Sequence, residues 1–151
     1  MTAPSPYRWL TAWVRDLPLA FPLGQVKEVL LWVPWQPGPP QERGLVGVIS
    51  LRGEEWPVWD LGQLWGWKPR LPTLETSLVL MNRPNGGRLG AVLVDRVGWV
   101  VEAEPSDALE SVALPQMPFH RTIRDTETET EHFVTTLTDL LNLPEIASEG
   151  A

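Results

Sequence analysis

The sequence predicts an all-β fold, and three observations carry the prediction. Apolar and polar residues alternate through the readable segments, while helical periodicity is confined to short pieces. Sixteen prolines in 151 residues argue against long helices and for short strands joined by stiff loops. Two segments, VWDLGQLWG (58–66) and TLTDLLNLP (136–144), each run from a strand end into Asp-Leu and a short apolar turn. That echo suggests two small barrels of similar plan packed into one globule.

The elements follow in order. Alternation marks strands over 9–14, 19–23 and 26–33, and PWQPGPPQERG (34–44) is then a rigid, extended connector. Its PxxP spacings, Pro34 to Pro37 and Pro37 to Pro40, would suit an SH3-like partner, but they are cheap in any proline-rich loop. Strands are expected over 45–51 and 55–59, with Gly53 turning the chain between them. Asp60 is placed to cap a brief helix that Gly66 stops. Strands over 78–82 and 89–94 flank Asn85 to Gly87, an Asn-Gly pair that supplies the positive φ angles of a tight hairpin. A strand over 98–102 follows. The span 103–131 is less regular; RDTETETE (124–131) reads as a solvated loop whose alternating threonines could pair as an edge strand. A last strand over 132–138 leads to Asp139, a second helix cap, and Pro144 ends that helix.

Composition bounds the function. The net charge of −7 is uneven: residues 1–100 carry +2 and residues 101–151 carry −9. An acidic last third repels phosphate, and the rest forms no basic stripe, so nucleic acid is not an expected partner. No apolar run is long enough to cross a bilayer, and the N-terminus lacks the pattern of a signal peptide, so a cytoplasmic protein without direct membrane insertion is expected. The absence of cysteine removes thiol nucleophiles and thiolate metal sites. Nine tryptophans suit either a core or a recognition surface.

Catalytic patterns are mostly missing. His120 and His132 are twelve apart with no partner at ligand spacing, so no metal is expected. Phosphate-binding and nucleophile-elbow motifs are absent, and no cofactor is implied. Glu54, Glu55, Asp60 and Asp95 lie among tryptophans, as acids do in sugar-binding grooves. A small carbohydrate-binding or glycoside-processing protein is therefore the competing reading, but Glu54 and Glu55 sit at a turn and Asp60 already caps a helix.

GLVGVISLRGEEWPVWDL (44–61) resembles the central signature of the CheW-like domain family through Gly47, Val48, Leu51, Arg52, Gly53, Pro57, Val58, Asp60 and Leu61, with Ser50 in place of the usual asparagine. FPLGQVKEVLLW (21–32) is similar to the family's earlier strand at Val26 and Glu28, and LGAVLVDRVGWVVE (89–102) to its G-x-x-V-D-x-V segment at Gly90, Val94, Asp95 and Val97. The terminal LTDLLNL is similar to its closing strand and helix. FHRTIRDTETETEH (119–132) departs from the family pattern, and that departure bears on the second barrel.

The resemblance implies one domain over 8–147, between flexible termini, made of two five-stranded SH3-like β-barrels with short helices. It implies no enzyme but an adaptor. One surface would bind the regulatory domain of a CheA-type histidine kinase and another the cytoplasmic tip of a chemoreceptor, with recruitment to membrane receptor arrays. Carried over by position, Val26, Glu28, Arg52, Leu80 and Val100 are the expected receptor-facing residues. Leu45, Trp59 and Trp65 are expected near the kinase-facing edge. Arg52 is expected to reach across its turn to Glu28 in a charge-assisted pair beside an apolar groove lined by Val26, Leu80 and Val100.

Overall fold

The computed structural model describes residues 7–35, 44–84, 86–107 and 121–136. β1 (Arg8–Val14) and β2 (Leu17–Pro22) form a hairpin, and a 3-10 turn at Leu23–Gln25 leads into β3 (Val26–Leu31). β4 (Leu45–Leu51) and β5 (Glu54–Asp60) form a second hairpin, followed by the one-turn helix α1 (Leu61–Leu64). β6 (Ser77–Asn82), β7 (Arg88–Val94) and β8 (Arg96–Glu102) follow. β9 (Ser106–Asp107), β10 (Arg121–Asp125) and β11 (Thr130–Val134) complete the described strands.

They form two mixed sheets. The first has the order β8-β1-β2-β11-β10-β9 and the second β3-β6-β7-β5-β4. One parallel pair, β2 with β11 and β5 with β7, lies inside each sheet. The second sheet uses the continuous stretch from β3 to β7, so it is inserted between the strands of the first.

Two faces per sheet need two partners, and the core divides accordingly. Between the sheets lie Leu10, Ala12, Leu19 and Phe21 from the first with Trp59, Val79, Met81 and Val92 from the second. The other face of the second sheet buries Ile49, Trp56, Val58, Leu78, Leu80 and Ala91. The other face of the first buries Trp9, Ala20, Val101, Ile123 and Val134. Strands interior to such an arrangement are buried on both sides, which is why β6 and β7 read as near-continuous apolar runs.

Two expectations are corrected. The two SH3-like five-stranded barrels are not closed: β3 and β4 are edges of the second sheet, and β8 and β9 are edges of the first, which has six strands among the described residues. The physical reason is the core between the sheets. Each sheet spends one apolar face on the other sheet, and among the described residues no backbone ladder joins its own edges. The stretch 103–131 is also more regular than expected, since it supplies β9 and β10. Trp56 and Trp59 are buried on opposite faces of β5. Asn85, His120, the 36–43 part of the proline connector with Pro37 and Pro40, and the second capping unit from Asp139 to Pro144 lie outside the described residues.

Local devices fix the joints. Asp60 accepts from the Gln63 backbone N–H at 3.3 Å and from the Gln63 side chain at 2.9 Å, so α1 is capped as the sequence predicts. Gly66, at φ 89°, ends it, with Gly66 N–H donating to Gln63 and Trp67 N–H to Gly62. Where β1 and β8 slip register, Thr11 Oγ1 donates to the Trp99 carbonyl at 2.9 Å and accepts from the Trp99 N–H at 3.0 Å.

Candidate partner-docking site

Arg52 and Gly53 form the two-residue loop of the β4–β5 hairpin, Leu51 pairing with Glu54. Their φ angles are 48° and 80°, both positive, as in the mirror-image turn that matches the twist of a hairpin. Glycine accepts this conformation freely. Arginine does not.

The arginine is held there from across the sheet. Its Nη1 donates to Glu28 Oε1 at 2.7 Å and its Nη2 to Glu28 Oε2 at 2.9 Å, the bidentate form of the pair. Glu28 lies on β3 and Arg52 beside β4, the opposite edges of a five-stranded sheet. Laid flat, strands spaced about 4.8 Å apart would put those edges roughly 19 Å apart. The second sheet is therefore strongly curled, an open half-barrel whose mouth is spanned by side chains.

A second bridge reinforces the first. Glu54 pairs with Lys27 at 3.6 Å and with Arg88. Both cations face the ring of the buried Trp56, at 5.3 and 5.9 Å from its centre. The starts of β3, β5 and β7 thus meet at one end of the sheet. The Arg52 hydrogen bonds lower the pKa of Glu28 and Glu28 in turn raises that of Arg52; Arg88 lowers Glu54. All five charges stay in contact with water, and the Arg52 side chain is 67% exposed against 26% for Glu28, so the site is a display of oriented charge and not a desolvated centre.

The other expected residues are distributed. Val26 is half-buried against the core between the sheets. Leu80, the register partner of Glu28, is wholly buried with Trp56. Val100 is 43% exposed, but it lies on β8 in the first sheet, paired with Leu10. The structure thus brings Glu28 and Arg52 together, seats Leu80 in the interior beside them and puts Val100 on the other sheet. Leu45 and Trp59 are register partners, the first half-buried and the second buried. Trp65 is half-buried, with its ring edge-on to Trp67 at 5.3 Å.

Sequence reasoning missed Lys27, Glu54, Trp56 and Arg88 as parts of this mouth. Glu54 was legible only as a turn carboxylate, because its partners are 27 and 34 residues away along the chain. No group of three metal-ligating side chains forms among the described residues, and no described helix is long and apolar enough to cross a membrane.

A family model described as the CheW-like domain matches residues 8–145. Among solved structures, the scaffolding protein TtCheW from Thermoanaerobacter tengcongensis is similar over 91% of this chain and 89% of its own, with 18% identity and a TM-score of 0.75. That likeness is one of fold. Among curated proteins none matches.

Proposed function

The chain belongs to the CheW-like domain family, whose members are non-catalytic adaptors of chemosensory signalling, and from that premise we propose that it couples the cytoplasmic tip of a chemoreceptor to the regulatory domain of a CheA-type histidine kinase. The observation that carries the reading is the bidentate Arg52–Glu28 pair across the open mouth of the second sheet. An exposed arginine held at a left-handed position gains nothing for the turn, where glycine would serve better. It does present spare guanidinium donors, in a fixed direction, to a docking helix. TtCheW, the protein of similar fold, is a scaffolding protein, and scaffolding agrees with binding without catalysis. Receptor contact is assigned to Val26, Glu28, Arg52 and Val100, with Leu80 supporting them from the interior, and kinase contact to the region of Leu45, Trp59 and Trp65.

The test is a pull-down of a receptor-tip fragment and a kinase regulatory domain by the full chain, repeated with Arg52→Glu and Arg52→Gly. Arg52→Gly removes the guanidinium and relieves the turn, so its melting temperature should match or exceed that of the wild type. Both variants are expected to lose the receptor fragment and keep the kinase domain. Undiminished receptor capture by folded Arg52→Gly would defeat the assignment, and capture of an oligosaccharide in place of either protein would favour the carbohydrate reading.

A further inference from the structure

The strand edges that Arg52 and Glu28 join share no backbone ladder among the described residues. From the β4–β5 turn the hydrogen-bonded path to β3 runs through β5, β7 and β6, and every step along it carries twist. Backbone pairing is also thinnest at this end. The parallel ladder of β5 and β7 begins at Val58 and Ala91, so the first four residues of β5 have no register partner on β7.

Side chains close that end instead. Glu54, at the start of β5, accepts from Arg88, at the start of β7, and pairs with Lys27 on β3 at 3.6 Å. Glu28, next along β3, takes the guanidinium of Arg52. Two rungs thus run from β3 to the turn with opposite polarity, cation to anion in one and anion to cation in the other. They act on each other: Lys27 favours the charged form of Glu28, and Glu54 that of Arg52.

Adjacent residues of a regular strand point to opposite faces, yet Lys27 and Glu28 both reach the turn. The register explains why. Val26 pairs with Met81 and Glu28 with Leu80, so Lys27 is the extra residue of a β-bulge, a feature that re-aims a side chain. The two cations bound to Glu54 also face the buried ring of Trp56, which packs with Ile49 and Leu80 inside the same sheet. The Glu54 rung therefore stands on packed core, whereas Arg52 stands on a two-residue turn at φ 48°.

We propose that Glu54 is a positioning residue for partner docking: bridged to Lys27 and Arg88 over Trp56, it fixes the β4–β5 turn against β3 and so fixes the direction in which Arg52 presents its guanidinium. The role in docking rests on the receptor-facing reading of the mouth. Exposed ion pairs add little to stability, so what this bridge contributes is geometry. Without it, Arg52 keeps a single anchor, Glu28, on a strand that no ladder ties directly to the turn.

The test follows the Glu28 carboxyl of the folded full chain by carbon-13 NMR through an acid titration. In the wild type Arg52 holds it below 4.5. Glu54→Gln and Arg88→Met are each expected to raise the Glu28 midpoint toward 4.5, because Arg52 loses its fixed approach, while the melting temperature stays near that of the wild type. The direction separates positioning from plain charge. Removing the Glu54 charge can act directly on Glu28 only by lowering its midpoint, since a like charge disappears. Among the described residues the charges acting on Glu28 are Arg52 and Lys27, not Arg88. A Glu28 midpoint that is unchanged or lower in folded Glu54→Gln would overturn the proposal. Capture of the receptor-tip fragment should fall severalfold with Arg88→Met; full capture by that variant beside lost capture by Arg52→Gly would overturn it too. Full capture by Arg52→Gly would defeat the receptor reading alone, because the Glu28 midpoint is read without any partner.

Discussion

His132 shows what one side chain does when the fold gives it no choice. It is wholly buried on β11, neither ring nitrogen has a hydrogen-bond partner in good geometry, and it packs edge-on against Trp13 at 5.3 Å. Burial lowers its pKa below the usual 6.5; the Leu19 backbone and Asp125 oppose the shift, and Arg96, stacked on the Trp13 ring at 3.6 Å, adds to it. The folded protein therefore binds fewer protons than the unfolded chain as pH falls past about 6.5. Stability from this residue is complete above that pH and is lost progressively below it. Glu28 and Glu54 are shifted down as well, but from 4.5, so their loss belongs to still lower pH. We expect the urea midpoint to drop between pH 7.5 and 5.5, and His132→Phe to flatten that slope; a slope unchanged in His132→Phe would refute the assignment. The same scale explains why the mouth was half legible. Arg52 and Glu28 stand out by their neighbours in sequence, whereas Glu54 and Arg88 acquire meaning only when β5 and β7 are brought together.

At the scale of elements, the close approach of β7 to β5 depends on one absent side chain. A Cβ at Gly90 would fall 2.5 Å from Trp59 Cδ1 and 3.0 Å from the Pro57 carbonyl oxygen. The neighbours at fault are a buried ring and a backbone atom, so neither can give way cheaply. Gly90→Ala is expected to destabilise the protein by roughly 1–3 kcal/mol, as overpacked cores do, read as a lower urea midpoint with an unchanged denaturant slope. Gly24→Ala, where a Cβ meets nothing within 4 Å, is the control that should cost far less. Strand existence was largely legible, because alternation and turn glycines act locally. β9 and β10 were not: β10, with the sequence RTIRD, has one apolar residue, and its pairing with β11 and β9 supplies the order its own pattern lacks.

At the scale of the whole molecule, the core between the sheets makes one cooperative unit of two sheets that do not close on themselves. Met81 is wholly buried at that junction with Val79, Val92 and Phe21. Met81→Ala should cost about 2–5 kcal/mol, and tryptophan fluorescence and far-ultraviolet circular dichroism should still report one coincident transition. Separate transitions would mean that the sheets are independent. The sequence by itself determined most of the strands, the Asp60 cap, the glycine turns and the family signature, because each depends on residues a few positions apart. Only the tertiary structure decided that the barrels stay open, which face each tryptophan takes, that Lys27 and Arg88 meet Glu54, and that Arg15 lines a cleft. Those outcomes depend on how two sheets share their apolar faces, a contest between surfaces far apart in the chain that no local pattern encodes.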